Sequence, residues 1–252
     1  MGEEFARWLA GRCERLVLVA RRIERLERLA GELHDAAPET TIDVAGVDLR
    51  VPGDRLMLIE GLLRRGLVPD LLVNNAGLGD YGEFAEAPWG RVEAMLQVNI
   101  EALTHLTHGL LPGMLAEGRG AVVNVSSLGG LVPIPDFAVY AASKAYVTSF
   151  SEALRLELRG TGVRVLAVCP GPVHTEFGHV AARDDAPAGE PPFYGWFYME
   201  KRKVVEKTFA ALARDRALVF PGLKVLAVAA LIGVLPMAAI RIAMGRRPRK
   251  KK

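Results

Sequence analysis

Cysteine is scarce in this chain of 252 residues, which has only Cys13 and Cys169. Two cysteines do not make a disulfide framework, and they fit a reducing compartment. The first residues have neither the basic nor the apolar stretch of a secretory signal, and Ala6 stands where N-myristoylation requires Ser or Thr. The length suits one α/β domain with a large core, and we expect a cytoplasmic protein.

The sequence also lacks the residue clusters of metal and nucleic-acid sites. His105 and His108 are three residues apart in a predicted helix, but no carboxylates complete a metal site, so we interpret them as core or helix-surface residues. The basic cluster is terminal and has no interleaved aromatic residues, which argues against nucleic-acid binding. Cys169 precedes a proline at a strand end, and we expect it to be a small buried residue.

Apolar β-type runs alternate with helical stretches along the chain. Strands are predicted at 16–20, 41–47, 71–74, 121–126, 163–168 and 217–220, and helices at 3–9, 22–33, 52–65, 89–115, 137–159 and 204–213. Near-continuous apolar strands that alternate with helices indicate a parallel sheet covered on both faces. We therefore predict one α/β domain over 1–222 and a tail over 223–252.

Tyr140 and Lys144 are four residues apart in the helical stretch 137–159. Positions i and i+4 share one helix face, so the phenol and the ammonium can point into one cleft. An ammonium near a phenol favours the ionised form and lowers its pKa. A phenol tuned in this way can exchange a proton with an alcohol or a carbonyl. The spacing alone is weakly specific, and the surrounding motifs make the pair informative.

Four motifs accompany the pair in order: Asn74-Asn75-Ala76-Gly77 after one strand, Asn99 in a helix, Ser126-Ser127 after the next strand, and Pro170-Gly171-Pro172-Val173 with Thr175 after a third. In this order and spacing the chain closely resembles the short-chain dehydrogenase/reductase family up to about residue 222. The resemblance implies a Rossmann-like, doubly wound parallel sheet. It also implies an NAD(P)-dependent oxidoreductase that interconverts an alcohol and a ketone or aldehyde.

The resemblance further implies a role for each matching residue. Tyr140 would be the general acid/base, and Lys144 would lower its pKa and hold the nicotinamide ribose. Ser127 would hydrogen-bond the substrate oxygen, and Asn99 would support a water-linked proton relay. Val173 would bind the carboxamide through its backbone and Thr175 through its hydroxyl group. The remaining cofactor-binding positions would be Gly2, Asn74, Asn75, Ala76, Gly77, Pro170 and Gly171.

The chain departs from the family pattern at its start. The pattern begins with a central strand and the turn T-G-x-x-x-G-x-G, of which only the last glycine, Gly2, is present. Without that strand its neighbours would have unpaired backbone groups, which are costly when buried. The turn also cradles the pyrophosphate. Three explanations remain: an upstream start, a degenerate relative, or a rearranged N-terminus that substitutes for the turn. We favour the first.

Arg21 and Arg22 follow the strand at 16–20, at the position whose side chains distinguish NAD from NADP. A carboxylate there would bind the adenosine ribose of NAD, whereas cations suit the 2′-phosphate of NADP. A solvated helix start is the alternative, but arginine in a first turn opposes the helix dipole. We therefore predict NADP over NAD. Asp48 either meets the adenine or is a simple turn residue.

The stretch 176–200 corresponds to the substrate lid of the family. It contains five aromatic residues between 193 and 198. An aromatic lid favours an apolar or bulky carbonyl compound or alcohol as the substrate. The alternative is that these rings fill the fold or an oligomer interface.

The tail over 223–252 has eight Lys or Arg and no acidic residue, which leaves 24 basic and 29 acidic residues in the rest of the chain. Its apolar run, 225–240, is interrupted by Pro236 and is shorter than the about 20 residues of a spanning helix. A helix on an anionic membrane surface fits this pattern. The alternative is a helix packed against the substrate cleft or a second subunit.

Two classes of function therefore remain. One is an NADP-dependent oxidoreductase acting on an apolar alcohol or ketone. The other is a catalytically silent relative that serves as a membrane-associated or partner-binding module, because the nucleotide turn is missing. The resemblance also implies a homo-oligomer formed through the long helices at 89–115 and 137–159.

Overall fold

The architecture is that of a computed structural model, which describes residues 1–183 and 198–245. The strands are β1 (Arg15–Ala20), β2 (Thr41–Gly46), β3 (Leu71–Asn74), β4 (Gly120–Val125), β5 (Val163–Val168) and β6 (Leu218–Val219). The helices are α1 (Gly2–Leu9), α2 (Ile23–Ala36), α3 (Pro52–Arg64), α4 (Trp89–Leu96), α5 (Leu103–Glu117), α6 (Ala138–Glu157), α7 (Phe177–Ala181), α8 (Lys201–Ala213), α9 (Leu223–Val234) and α10 (Met237–Gly245). The predicted α/β class is confirmed. Most of the expected lid, and the basic residues after 245, lie outside the described residues.

All strand pairs are parallel, but they form two sheets. β1 pairs with β2, from Arg15 opposite Thr41 to Ala20 opposite Gly46. The second sheet has the order β3-β4-β5-β6. β1 and β3 are not paired with each other among the described strands, and residues of both line one slot. Each sheet therefore has an open edge at this slot.

The second sheet is buried on both faces, as the apolar strand pattern predicts. Val122 and Val165 pack on one face with Met114 of α5. Val123 and Leu166, the next residue along each strand, pack on the other face against α8. Successive side chains of a strand point to opposite faces, so continuous apolar runs are what a doubly covered sheet requires.

Helix α1 brings the N-terminus to the carboxyl end of β3. Phe5 and Trp8 pack on Phe209 of α8, with ring centres 6.0 and 5.9 Å apart. Met1 is half-buried and packs, as Val73 does, against the buried cluster of Phe5, Val125 and Val205. A Cβ at Gly2 would be 2.8 Å from Asn75 Nδ2, directly after β3. The chain start therefore lies at the same sheet edge as the residues that follow β3.

The predicted helix at 89–115 is not regular throughout. Helix α4 continues into a π-helical segment, Gln97–Ala102, and then into α5. Isolated π-turns frequently mark functional sites. Asn99 lies within this segment and is 1% exposed.

The apolar run of the tail forms two helices, because proline cannot continue the first. Pro236 separates α9 from α10, and the two axes are bent by 117°. Taken singly, none of the helices in the described ranges is long and apolar enough to cross a membrane.

Candidate active site

The carboxyl ends of β3, β4 and β5 meet at one cleft. The cleft continues into the slot between β1 and β3, and together they form a cavity of about 1740 Å³. Parallel α/β sheets bind their ligands at this edge. Every site residue expected from the sequence lines the cavity except Asn99: Gly2, Arg21, Arg22, Asp48, Asn74, Asn75, Ala76, Gly77, Ser127, Tyr140, Lys144, Pro170, Gly171, Val173 and Thr175.

Tyr140 is held in the cleft by two aromatic rings. Its ring centre lies 5.4 Å from that of Phe137 and 5.2 Å from that of Phe177 on α7. Burial raises the pKa of the phenol, and a hydrogen bond with the Ser127 side chain acts in the opposite direction. The net effect favours the protonated phenol, the form that can donate a proton.

Lys144 lies beneath the tyrosine and is 4% exposed. Its Nζ atom donates a hydrogen bond to the Val125 carbonyl oxygen at 2.8 Å and lies 5.9 Å from the centre of the Tyr140 ring. Burial lowers the pKa of Lys144 to about 8. The prediction that Lys144 lowers the pKa of Tyr140 is therefore wrong for this structure, because the ammonium bonds a carbonyl and burial dominates at the phenol.

Ser127 is fixed by the turn that follows β4. It has an extended backbone, and its Oγ accepts a hydrogen bond from the Gly129 amide at 3.1 Å. Gly130 in the same turn lies directly on α6, and a Cβ there would be 2.6 Å from the Lys144 carbonyl carbon. The sequence alone gave no indication that Gly130 is required.

Ser126 joins the same strand end to α6. Its hydroxyl donates to the Lys144 carbonyl oxygen at 2.7 Å and lies 2.7 Å from the Thr148 hydroxyl. Its neighbour Ser127 remains in the cleft. The Ser-Ser pair therefore divides into one residue that positions the helix and one that faces the site.

Asn99 connects the loop after β3 to α6 without lining the cavity. Its Oδ1 accepts from the Leu78 amide at 2.8 Å, and its Nδ2 donates to the Leu78 carbonyl oxygen at 2.9 Å. Nδ2 also lies 2.9 Å from the Ser143 hydroxyl oxygen, and that hydroxyl donates to the Tyr140 carbonyl oxygen at 2.8 Å. These contacts make Asn99 a positioning residue in the structure.

Gly77 lets the loop after β3 approach the lysine. A Cβ at this position would be 3.3 Å from the Lys144 Nζ atom and 3.5 Å from the Asn99 Oδ1 atom. Asn74, at the start of the loop, is buried and donates from Nδ2 to the Thr107 hydroxyl oxygen at 3.0 Å and to Asn124 Oδ1 at 2.8 Å. Asn74 therefore ties β3 to β4 and α5.

Arg22 is exposed at the end of β1 and reaches across the cleft. Its Nη2 pairs with Glu176 Oε2 at 3.1 Å, and Arg25 Nη1 pairs with Glu176 Oε1 at 2.7 Å. Hydrogen bonds from Arg25 and Arg22 lower the pKa of Glu176. Arg21 makes no hydrogen bond or ion pair within the described part of the chain.

Asp48 shows the contacts of a turn residue. Its carboxylate accepts from the Arg50 amide at 3.0 Å and pairs with the Arg50 guanidinium at 2.5 Å. The hydrogen bonds from Arg50 are the main reason that the pKa of Asp48 is lowered. These contacts support the interpretation of Asp48 as a turn residue over that of an adenine-binding residue.

The segment after β5 carries the remaining expected cofactor residues. The Pro170 carbonyl oxygen accepts from the Leu128 amide at 2.9 Å, and Val173 forms a parallel bridge with Met199. Thr175 Oγ1 accepts from the Phe177 amide at 3.2 Å. The hydroxyl expected to bind the carboxamide thus also holds the start of α7.

Asp80 was not indicated by the sequence, yet it anchors the side of the cleft formed by α7. It is 6% exposed and pairs with Arg183 at 2.5 Å and with Arg91 at 2.8 Å. Arg91 also donates to the Val180 carbonyl oxygen at 2.7 Å. This network holds the end of α7 and hence Phe177. The Asp80–Arg183 pair spans 103 residues, so no local motif could reveal it.

The chain is similar in sequence to known proteins. A family model described as short chain dehydrogenase matches residues 1–186, which include every expected site residue. Sulfoacetaldehyde reductase of Chromohalobacter salexigens is 37% identical over 203 residues, covering 77% of this chain and 76% of that protein.

Two solved structures are similar over almost the whole chain. A short-chain dehydrogenase from Sphingobium yanoikuyae in complex with NADPH has a TM-score of 0.78 at 29% identity, covering 99% of this chain and 92% of that one. A bulky-bulky ketone specific alcohol dehydrogenase from Comamonas testosteroni has a TM-score of 0.76 at 27% identity, covering 99% of this chain and 91% of that one.

Proposed function

This chain belongs to the short-chain dehydrogenase/reductase family, and on that premise we propose that it is an NADP-dependent oxidoreductase that interconverts an alcohol and a ketone or aldehyde. The observation that carries the proposal is the position of Tyr140. Its side chain interacts with that of Ser127, and both residues line the same cavity as the buried Lys144.

In the reductive direction, Ser127 binds the carbonyl oxygen and Tyr140 donates a proton to it. NADPH, when bound, supplies the hydride, so that the ketone gains a hydride and a proton and becomes the alcohol. The protonated phenol that burial favours is the form this direction needs. Lys144 holds the ribose and supports the phenol from below, and Asn99 keeps the loop and α6 in register and supports the water-linked relay.

The cofactor site has a charge pattern that fits NADP. Arg21 and Arg22 stand at the carboxyl end of β1 and line the same cavity as Tyr140. Guanidinium groups bind phosphate with two parallel hydrogen bonds, so the pair suits a 2′-phosphate. In this proposal the loop from Asn74 to Gly77 lines the adenosine side, and Val173 and Thr175 hold the carboxamide.

The walls of the substrate end favour an apolar carbonyl compound. Val132, Ile134, Phe137 and Phe177 line this part of the cavity around Tyr140. Apolar walls with a few convergent polar groups are typical of small-molecule sites. The substrate therefore orients its carbonyl toward Ser127 and buries an apolar body.

The alternative, a catalytically silent relative, rests on the missing glycine turn. We propose instead that a strand preceding Met1 in the same polypeptide fills the slot between β1 and β3. Both open edges run parallel, so one parallel strand can bond to both of them. Gly2 lies close to Asn75 at the carboxyl end of the slot, where a Cβ would be 2.8 Å from Asn75 Nδ2, and such a strand would turn into α1 there. The turn at that junction would then cradle the pyrophosphate.

A homo-oligomer is part of the same proposal. Leu115, Tyr146 and Leu156, on α5 and α6, are 38, 37 and 58% exposed, which gives these helices apolar surface for a second copy. Light scattering measures the mass directly, and a monomer at micromolar concentration would contradict this part.

The proposed activity is tested by following NADPH oxidation with a series of ketones and aldehydes of increasing apolar size. The protein carries an N-terminal extension, an apolar strand of five residues followed by T-G-x-x-x-G joined to Met1. We expect turnover with NADPH, slower turnover with NADH, and a preference for the bulkier ketones. Tight NADPH binding without turnover of any carbonyl compound would favour the silent relative.

A further inference from the structure

The outer face of the last two helices is apolar and exposed. We call α9, α10 and the link between them, residues 223–245, the C-terminal hairpin. Leu223 and Val234 are 86 and 78% exposed. Among the described residues, this hairpin carries seven of the seventeen exposed large hydrophobic side chains: Leu223, Leu226, Leu231, Val234, Leu235, Met237 and Ile242. So many exposed apolar side chains within 23 residues mark an interaction surface.

The charge of this region has one sign. Lys224 and Arg241 are exposed on α9 and α10, and the sequence from 223 to 252 holds eight Lys or Arg and no Asp or Glu. Apolar side chains beside cations complement an anionic lipid surface. A second copy would meet the same patch across a two-fold axis and bring like charges together, so it fits this face less well.

The inner face of the hairpin belongs to the cleft. α9 packs on the turn Leu128–Leu131, which directly follows Ser127. The side chains that line the cavity from this side are Val228, Ile232 and Met244. One thin layer of helix therefore separates the exposed apolar face from the cavity that holds Tyr140.

We propose that the outer face of the C-terminal hairpin lies in the headgroup region of an anionic bilayer, and that an apolar carbonyl substrate passes from the bilayer into the cleft past the hairpin. The helices have 12 and 9 residues, so the longer one spans about 18 Å and lies along the surface of a hydrocarbon core of about 30 Å. The route of the substrate rests on the proposed oxidoreductase function; the docking does not.

The docking is tested by sedimentation of the full chain with vesicles. The vesicles contain either phosphatidylcholine alone or phosphatidylcholine with 30% phosphatidylserine. We expect at least tenfold stronger binding to the anionic vesicles, and weaker binding in 0.5 M salt. The double variant Leu231→Asp/Ile242→Asp should lose at least tenfold in binding. The matched control is Leu56→Asp/Met57→Asp on α3, which changes two exposed apolar residues elsewhere and should bind as wild type does.

Arg241→Glu gives a second test that leaves the apolar face intact, and it should weaken binding to the anionic vesicles only. Equal binding to both vesicle types, or unchanged binding by the double variant, would overturn the docking proposal. It would also be overturned if the wild type binds no vesicles and light scattering shows that the double variant reduces the oligomer mass, because a second copy would then cover the face.

The substrate route is tested with two ketones and the strand-extended protein. One is 2-undecanone held in anionic vesicles, and the other is cyclohexanone in solution. We expect the double variant to lose at least fivefold in rate with the vesicle-held ketone and to keep its rate with cyclohexanone. Equal losses with both ketones would overturn the route. No turnover of either ketone would reject the proposed function and the route, whereas the sedimentation result would still decide the docking.

Discussion

Lys144 and Tyr140 share a helix face, but the ammonium does not bond the phenol: its Nζ atom lies 5.9 Å from the centre of the tyrosine ring. It donates instead to the Val125 carbonyl oxygen at 2.8 Å, at the end of β4. The strand end that carries Ser126 and Ser127 therefore also fixes the lysine. The junction between β4 and α6 thus holds the Ser127 hydroxyl, the Tyr140 phenol and the Lys144 ammonium.

Replacing Tyr140 by Phe should abolish turnover and leave the fold intact. The variant removes the only atom with which this residue can move a proton, whereas the ring keeps its packing against Phe137 and Phe177. The matched control is Tyr146→Phe on the same helix, whose hydroxyl lies 3.0 Å from the Thr104 hydroxyl. NADPH oxidation and thermal melting check both variants in the strand-extended protein. Retained activity in Tyr140→Phe would reject its catalytic role.

Lys144→Met should stabilise the protein at pH 7. Burial lowers the pKa of Lys144 from 10.5 to about 8, so the folded state disfavours the charged form by about 3 kcal/mol. Loss of the hydrogen bond to Val125 offsets about 1 kcal/mol of this gain, which leaves a net gain of about 2 kcal/mol.

The same lysine gives the wild type a distinct pH dependence. Below pH 8 the lysine is protonated in both states and the full penalty is present. Between pH 8 and 10.5 the unfolded state binds more protons, so its contribution to stability rises with pH. Urea unfolding from pH 7 to 9 should show the difference between wild type and Lys144→Met becoming smaller as pH increases. A constant difference would contradict the lowered pKa.

Gly130→Ala should destabilise the fold and disturb the site. The new methyl group would lie 2.6 Å from the Lys144 carbonyl carbon, and overpacking of this kind costs about 1–3 kcal/mol. The turn would move away from α6 and separate Ser127 from Tyr140, so kcat should fall as well. Gly61→Ala in α3 meets nothing within 4 Å and should stabilise by about 0.5–1 kcal/mol. Denaturant unfolding and kcat are measured for both variants. Unchanged stability and kcat in Gly130→Ala would contradict this prediction.

In the strand-extended protein, Glu176→Gln should tighten NADPH binding by about threefold, the scale of one exposed ion pair. The carboxylate occupies Arg22 and Arg25, which are then available to the 2′-phosphate. NADH, which lacks that phosphate, should gain little. The control is Glu206→Gln, whose partner Arg202 lies on the same helix, α8. Weaker NADPH binding by Glu176→Gln would show that Glu176 assists the site.

The sequence predicted the elements well because periodicity and breakers are local. Val122 and Val123 read as one apolar run and are buried on opposite faces, and Pro236 separates two helices. The π-turn at Asn99 could not be predicted, because it depends on packing of the helix against Leu78 and Ser143.

The ion pairs between distant residues of the site, and the effect of burial on its pKa values, could not be predicted from the sequence either. The sequence places Arg22 directly after β1, but its partner Glu176 is 154 residues away. The pKa of Tyr140 was predicted in the wrong direction, because spacing along a helix gives proximity and not burial. Asp80 belongs to no recognisable sequence motif. Pairings and desolvation arise only when the chain is folded.

Titration of cofactor fluorescence tests the central claim most directly. NADPH is added to the 252-residue chain and to the same chain with the apolar strand and T-G-x-x-x-G turn joined to Met1. We predict weak or no saturable binding by the first and micromolar binding by the second, with binding weakened by Arg22→Ala. No binding even with the strand and turn in place would contradict the account and leave the fold as a scaffold without its cofactor.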